Sequence, residues 1–267
     1  MDTYQILTNH RSIREYKKDP IPEKILNRIL EAGMRASSSG NMQIVSIIVT
    51  SKTAIKNKLY EAHYNQEMVK QAPAVVTFCV DFNRMRHWLD LEKAPQNFDN
   101  LISFIDGTVN ASIVAQNIVI AAESEGLGVC YMGTTLWSSQ KIIEILNLPE
   151  NVVPITSFTL GYPNENPKKV SRLATSGIVH YDTYHNYTDD DINEIYCDRN
   201  QEAWNRYMTY PNMKKLIEEK GIKNSAEIYT KLKYTQEEFI KLSQQLLDTI
   251  KNKIFLISND ILDLSLI

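Results

Sequence analysis

The sequence predicts an α+β protein in which a sheet of about four strands is combined with many helices. Four apolar runs have the length and composition of strands, at 44–50, 74–80, 129–133 and 152–160. Long stretches of helical pattern separate them, so the strands do not form a chain of hairpins. The sheet is therefore expected to assemble from segments that are distant in the chain.

The helices are predicted from apolar residues that recur at helical spacing. Proline at position 22 suits the first turn of a helix, and Ser138 is expected to cap another. The centre of the longest helix, 113–122, is apolar around most of its circumference, which is typical of burial in a core or at a subunit interface. The predicted helical segments are 4–7, 22–35, 54–62, 98–125, 138–146, 192–208, 213–220, 224–232 and 235–256, and 83–93 is either a helix or a covering loop.

The composition limits the classes of function. With 267 residues, 43% of them hydrophobic, the chain can form a large domain or a domain with appendages. A net charge of −3 does not attract nucleic acid, so the basic residues near the N-terminus are a local feature. Three widely spaced cysteines without a C-x-x-C motif argue against a disulfide framework or a zinc cluster. Because neither a signal peptide nor a membrane-spanning run is evident, we expect a soluble cytoplasmic protein that binds neither nucleic acid nor membranes.

A basic cluster near the N-terminus, His10-Arg11-Ser12-Ile13-Arg14, is the first candidate site. The planar guanidinium of arginine matches the geometry of a phosphate and stays charged at any working pH. We therefore expect an anion to bind here. The alternative is that Arg11 and Arg14 are solvated cations near a helix C-terminus, and this stretch alone would favour that alternative.

Four later stretches shift the balance towards a ligand. Residues 37–43 supply hydroxyl and amide groups, Gln66 adds an amide after a turn, and the glycines of 126–133 let a backbone approach a flat ligand. Lys168, Lys169 and Arg172 add positive charge. Each stretch has an ordinary alternative as a loop or a solvated surface, and 126–133 is a poor match to the G-x-G-x-x-G motif. Together they meet the needs of flavin mononucleotide (FMN): a phosphate anchor, donors to the ring carbonyls, a positive charge near N1 and O2, and an amide near N5.

These motifs resemble those of the nitroreductase family of FMN enzymes. The resemblance rests on 10–14, 36–43, the Ala-Ala-Glu-Ser-x-Gly-Leu-Gly run at 121–128 with Tyr131-x-Gly133, and Leu-Gly-Tyr-Pro at 160–163. Their order and spacing look most like the NADPH-preferring branch of oxygen-insensitive nitroreductases and flavin reductases. The resemblance implies the nitroreductase fold, a central and mostly antiparallel sheet of four to five strands surrounded by helices.

The same resemblance implies an organisation for the whole chain. Residues 1–185 would form the FMN-binding core, and 186–267 would form a helical extension that packs on the core or on the partner subunit. A homodimer would hold FMN between its subunits, with the long helix at the interface, and NADPH or NADH would donate electrons. The residues from 254 to the end alternate apolar and acidic groups and either pack on a partner or fray.

The resemblance also assigns residues to the cofactor. His10, Arg11, Ser12 and Arg172 would hold the phosphate and ribityl chain, while Arg14 would face the N1/O2 edge of the ring. Ser38 would come from the partner subunit, and Gln66 would meet the polar ring edge. The ring would be lined by Tyr131, Met132 and Gly133, with the Gly133 amide near N5. No side chain is expected to act as a nucleophile, because the chemistry resides in the cofactor.

Two features depart from the family pattern. Lys168 and Lys169 precede Val-Ser-Arg at 170–172 instead of forming a Lys-Pro-Arg sequence, so which lysine reaches the flavin is open. Thr134 stands where the branch often has a second glycine, a change that affects access to the ring face. Arg199 and Arg206 lie in the extension that would meet the NADPH 2′-phosphate, and neither is assigned a role.

The predicted function is that of an NAD(P)H-dependent FMN oxidoreductase. It would reduce small-molecule acceptors such as nitroaromatics, quinones or free flavin in a ping-pong cycle of hydride transfer. One alternative is a flavoprotein of the same fold with other chemistry, such as reductive dehalogenation. A second alternative is a non-enzymatic flavin-binding module with a regulatory tail, suggested by the absence of a motif in 186–267.

Overall fold

The fold is organised around one four-stranded antiparallel sheet. A computed structural model describes residues 2–255. The strands are β1 (Val45–Thr50), β2 (Ala74–Asp81), β3 (Gly128–Met132) and β4 (Val152–Gly161), in the order β1-β2-β4-β3. Each neighbouring pair is antiparallel. The predicted α+β class and the antiparallel sheet are confirmed, and each strand begins and ends within one residue of its predicted bounds.

Helices precede and follow these strands along the chain, at the predicted places except for two short ones that no pattern marked. They are α1 (Thr3–Asn9), α2 (Glu23–Met34), α3 (Thr53–Ala62), α4 (Met68–Gln71), α5 (Asn83–Leu91), α6 (Leu101–Ser124), α7 (Thr134–Trp137), α8 (Ser139–Leu146), α9 (Asp189–Met208), α10 (Pro211–Glu219), α11 (Ser225–Ile228) and α12 (Gln236–Asn252). Short 3₁₀ turns occupy Ser39–Asn41 and Thr175–Gly177, and a π-helical turn occupies Tyr229–Lys233. The segment 83–93, for which two structures were possible, is mostly helical.

The prediction that Ser138 caps α8 with its side chain is wrong. Ser138 does precede α8, but its side chain forms no capping hydrogen bond to residues 2–255. It also ends α7, since its N–H donates to the carbonyl oxygen of Thr134 at 3.0 Å. Its backbone angles, φ −119° and ψ 26°, are therefore far from the extended conformation in which a capping side chain reaches the next turn.

Alternating side chains of β2 build a core on each face of the sheet. Val76 and Phe78 belong to a cluster that includes residues of α2 and α6, whereas Val75 belongs to a cluster with residues of α3 and α8. All eight residues of β2 are buried, which explains its continuous apolar run. Opposite Pro154, which has no N–H for the ladder, the register of β2 and β4 shifts between Phe78 and Cys79.

Helix α6 is the central helix that the sequence predicted. It packs closely on α2, because a Cβ atom at Gly33 would lie 2.2 Å from Cγ1 of Ile118. Its other side carries exposed apolar residues, with Ile102 70% and Val109 52% exposed. By length and composition alone α6 is apolar enough to cross a membrane, so the expectation that the chain has no such run was too strong. Its packing against β2 gives it the role of a core helix.

The described chain divides into two compact units. One consists of the described residues of Met1–Lys168 and Gln244–Ile267 and contains the sheet. The other, Lys169–Ser243, has its own small core, formed by Ala203, Tyr207, Ile217, Ile222 and Ile228. The helical nature of the extension is confirmed, while its predicted boundary at residue 185 and its packing stay predictions. The final segment, 256–267, lies outside the described residues.

Candidate functional site

The basic N-terminal segment runs along the free edge of the sheet, beside β3. Ser12 forms a parallel bridge with Val129, and the N–H of Ile13 donates to the carbonyl oxygen of Val129 at 2.8 Å. Further along, Tyr16 forms an antiparallel bridge with Pro163. The predicted cluster is thus held beside β3, which lies within the glycine-rich stretch 126–133. The basic cluster and the glycine-rich stretch therefore share one edge of the sheet.

Tyr16 fastens this segment to the sheet from inside the core. Its ring is 6% exposed, and its hydroxyl lies 2.5 Å from the carbonyl oxygen of Ile13 and 2.7 Å from Oγ1 of Thr159. Burial raises the pKa of the Tyr16 phenol, the hydrogen bond with Thr159 opposing that rise. The phenol is therefore neutral and acts as a permanent hydrogen-bonding anchor for the backbone between Ser12 and Arg14.

The loop after β4 holds the same segment from the other side. Oε1 of Glu165 accepts hydrogen bonds from the backbone N–H of Arg14 and, at 3.1 Å, from that of Glu15. The guanidinium of Arg11 donates to Oδ1 of Asn166. Glu165 binds these backbone amides and not the guanidinium of Arg14. That guanidinium is exposed, and its one hydrogen bond within residues 2–255 is to the carbonyl oxygen of Ser12 at 3.5 Å.

The other members of the cluster are tied to neighbouring elements. Nδ1 of His10 lies 2.5 Å from Oε1 of Glu123, at the end of α6. Ser12 is held by its backbone bridge with Val129, next to Cys130, whose thiol pKa is raised mainly by burial. His10 and Ser12 are thus held in place by their contacts, and Arg11 and Arg14 are the cations best placed to meet an anion.

A cavity of about 530 Å³ opens next to this cluster. Its lining brings Arg11 together with Glu123, Gly128, Glu165 and Asn166. The two carboxylates are already engaged, Glu123 with His10 and Glu165 with backbone amides. The basic segment lies so close to β3 only because residue 128 is a glycine. A Cβ atom at Gly128 would lie 2.5 Å from Cγ1 of Ile13. Sequence analysis missed Glu123, Glu165 and Asn166, since nothing in their local sequence marks them as partners of residues more than 100 positions away.

The three residues at the end of β3 present different surfaces. The ring of Tyr131 packs edge-on against Phe158, with centroids 5.5 Å apart, and its hydroxyl donates to Oε1 of Gln116 at 3.4 Å. Burial, helped by the charge of Glu123, raises its pKa. Met132 is buried, whereas Gly133 is exposed, and a Cβ atom at Gly133 would meet no atom of the described chain within 4 Å. This strand end therefore offers open space over backbone, which suits a flat ligand.

A polar network lies beside Gly133. Nε2 of Gln66 donates to the carbonyl oxygen of His63 at 3.0 Å and to Oγ1 of Thr134 at 3.3 Å. Nδ1 of His63 lies 2.8 Å from the same Oγ1. His63 is fully buried, and this burial lowers its pKa to about 4. The structure thus places Gln66 beside the residue that follows Gly133, while its role at the ring edge stays a prediction, and it adds His63, which no motif indicated.

Ser38 and Arg172 lie apart from these groups in the hydrogen-bond pattern. Oγ of Ser38 accepts from the N–H of Gln43 at 2.8 Å, within a loop that Asp106 and Asn110 of α6 hold through Ser39. Arg172 belongs to the second compact unit, where its guanidinium donates to the carbonyl oxygens of residues 170 and 171 at 3.1 and 3.3 Å. Their assignments to the cofactor stay predictions.

The unassigned cations of the extension lie against tyrosine rings. The guanidinium carbon of Arg199 is 4.9 Å from the centroid of Tyr229, and that of Arg206 is 5.2 Å from the centroid of Tyr207. Nζ of Lys233 donates to the hydroxyl of Tyr207 at 3.0 Å. Both arginines thus pack against aromatic rings of their own compact unit.

The sheet, its basic edge segment and the open strand end define an α+β protein with two arginines along one edge of its sheet. The family model named "Nitroreductase family" matches residues 7–162, which is more than half of the chain. The chain therefore belongs to the nitroreductase family, and the predicted nitroreductase fold is confirmed.

Characterised relatives and solved structures agree with this membership. An NADPH-flavin oxidoreductase of Vibrio harveyi is 35% identical over 191 residues, which cover 72% of this chain and 78% of the relative. An FMN reductase [NAD(P)H] of Bacillus subtilis is 32% identical over 239 residues, covering 81% of this chain and 96% of the relative. The structure of a nitroreductase from Bacillus subtilis matches with a TM-score of 0.82 and 25% identity, over 95% of this chain and 98% of the other.

Proposed function

We propose that this protein is an FMN-dependent NAD(P)H oxidoreductase that reduces small molecules such as nitroaromatics, quinones or free flavin in a ping-pong cycle. The observation that carries the proposal is the pinning of the Arg11–Arg14 segment to β3, the strand that ends in the open Gly133. Two guanidiniums are thereby held on the same strand that leads to an open surface suited to a flat ring. The relatives of this chain include an NADPH-flavin oxidoreductase and an FMN reductase, which supports the proposed activity.

The residues present suit FMN in charge and in shape. Arg11 lines the cavity and is assigned to the phosphate, together with His10, Ser12 and Arg172. Arg14, whose guanidinium is exposed, is assigned to the N1/O2 edge, where positive charge favours the reduced ring. Gln66, Tyr131, Met132 and Gly133 are assigned to the ring. When bound, FMN supplies the hydride chemistry, and these residues bind it, orient it and tune its electrostatics.

A homodimer is part of the proposal. Exposed apolar residues form one stripe of α6 at helical spacing, and they include Ile102, Ile105, Val109 and Ile113. A contiguous apolar surface of this kind is typical of a protein interface. A second copy of the chain that covers the stripe would bring its own Ser38 loop to the shared site, because that loop is fastened to α6.

The donor and the compartment complete the proposal. NADPH or NADH reduces the enzyme, which is consistent with the solved structure of a Vibrio harveyi NADPH:FMN oxidoreductase complexed with NAD⁺, 29% identical with a TM-score of 0.74 over 93% of this chain and 97% of the other. The cysteines, two buried and one exposed, are all free, as suits a reducing cytoplasm.

A visible absorption spectrum tests the proposal directly. Purified protein, reconstituted with FMN if necessary, is expected to be yellow and to lose its flavin absorbance when NADPH or NADH is added anaerobically. Oxidation by a nitro compound or a quinone should then restore the absorbance. A protein that stays colourless after reconstitution would overturn the proposal, while a yellow protein that neither nucleotide bleaches would favour a flavoprotein of different chemistry.

A further inference from the structure

The orientation of the Gln66 side chain is fixed by its two hydrogen bonds. Its Nε2 donates to the carbonyl oxygen of His63 at 3.0 Å, and a backbone carbonyl can only accept. Turning the amide over would place Oε1 against that oxygen, so that two acceptors face each other and this bond is lost. Oε1 is not buried without a partner, and no hydrogen bond reaches it from residues 2–255. Gln66 therefore presents an accessible acceptor.

The second bond depends on a hydroxyl that His63 holds. Oγ1 of Thr134 accepts from Gln66 at 3.3 Å and lies 2.8 Å from Nδ1 of His63. His63 is 0% exposed, and its Nε2 is the one buried side-chain polar atom within residues 2–255 that has no hydrogen-bond partner. A buried imidazole that leaves one nitrogen unpaired carries a cost that its packing alone does not explain. Its other nitrogen joins α3 to the residue that directly follows Gly133.

We propose that His63 and Thr134 are positioning residues that hold the carbonyl oxygen of Gln66 outward, so that the site accepts an N–H group at the ring edge of its ligand. The proposal rests on the proposed function, because the ligand is taken to be a flavin, whose imide N3–H is the matching donor. A ring whose N3 carries a methyl group offers no proton to Oε1. Selection at this edge is therefore a property of the three-residue network rather than of Gln66 alone.

Binding of two flavins to apoprotein tests this inference without reference to turnover. The Kd values of FMN and of 3-methyl-FMN are measured by flavin fluorescence during titration with protein. Wild type is expected to prefer FMN by about five-fold or more, since an acceptor that the bound ring covers without supplying a donor costs at least that factor. In Thr134→Val the preference should fall below about three-fold, because one of the two bonds that orient the amide is lost.

Matched variants separate positioning from folding. Thr134→Ser keeps the hydroxyl and should keep the preference. His63→Phe fills the same buried space without Nδ1, so it should behave like Thr134→Val and provides a second measurement if that variant folds poorly. Thr77→Val removes a threonine hydroxyl from inside the sheet, where it accepts from Ser157 at 3.1 Å. It should lose stability but keep the preference.

The possible outcomes distinguish this inference from the proposed function. Wild-type protein that binds neither flavin would contradict the proposed function itself. Protein that binds both flavins equally, or a Thr134→Val variant that keeps the full preference, would overturn the positioning role, because exclusion of the methyl group would then be steric. A loss of preference in Thr134→Ser would overturn it as well.

Discussion

Replacing Tyr16 by phenylalanine should loosen the basic segment from the sheet. The substitution keeps the ring but removes the hydroxyl that lies 2.5 Å from the carbonyl oxygen of Ile13 and 2.7 Å from Oγ1 of Thr159. Both partners would be left inside the protein, where an unsatisfied polar group costs about 1–3 kcal/mol. For a chain of this size we expect Tm to fall by about 2–4 °C for each kcal/mol lost.

Thermal unfolding of the apoprotein measures this loss, and pH gives it a specific signature. Because burial raises the pKa of the Tyr16 phenol, the folded protein keeps its proton above about pH 10, where an unfolded tyrosine releases it. The folded state then binds more protons than the unfolded state, so stability falls as pH rises through this range. Tyr16→Phe lacks this contribution, and its Tm should fall less steeply between about pH 9 and 11.

Tyr181→Phe is the matched control, since Tyr181 is 80% exposed. A Tyr16→Phe variant no less stable than this control would refute the anchoring role. The same variant should also bind FMN more weakly, because the carbonyl of Ile13 lies between the residues that carry the two guanidiniums. Lost stability with unchanged FMN affinity would show that the anchor serves folding alone.

Four further substitutions test the site and the dimer. Arg11→Ala should mainly weaken FMN retention, whereas Arg14→Ala should also slow anaerobic flavin reduction by NAD(P)H; if both change only the Kd of FMN, the division of roles is wrong. His63, with a pKa lowered to about 4, makes wild type lose on the order of 3 kcal/mol as pH falls from about 6.5 to 4, since the unfolded state binds the extra proton. His63→Phe should flatten that slope in Tm, and a slope equal to that of wild type would contradict the buried neutral state. Ile102→Asp, on the exposed stripe of α6, should halve the mass measured by light scattering; an unchanged dimer would place the interface elsewhere.

The elements that the sequence predicted best are those whose pattern is local. The run of β2 is apolar because both faces of that strand are buried. Helix α6 is apolar where it packs on the sheet and on α2, and its exposed side carries a further apolar stripe. The basic cluster was also visible, since its cations lie within five residues of one another in the chain. Ser138 shows the limit of local reasoning. It ends the short helix α7, which no sequence pattern predicted, and its side chain does not cap α8.

The partners that fix the site were not visible in the sequence. Glu165 binds the backbone of Arg14 across 151 positions, and Tyr16 reaches Thr159 across 143. Such pairs arise from the order of strands in the sheet, which a single sequence does not reveal. His63 was missed for a different reason, since a histidine at the end of a helix is ordinary until its burial is known.

The arrangement of the basic segment thus depends on the sheet edge as well as on the N-terminal sequence. Holding Arg11 and Arg14 in one short segment costs chain entropy and places like charges close together, and the bonds to Val129 and Glu165 offset that cost. A bound phosphate would relieve the repulsion between the two guanidiniums. Ligand binding and the attachment of the Arg11–Arg14 segment to β3 are therefore expected to stabilise each other. Saturation at about 100 times Kd adds roughly 2.7 kcal/mol, which is as large as the loss expected for Tyr16→Phe. A Tyr16→Phe variant that binds FMN more weakly gains less than this at the same FMN concentration, so its loss of Tm relative to wild type should be larger with FMN than in apoprotein. Equal losses of Tm in both forms would show that the edge and the ligand are not coupled.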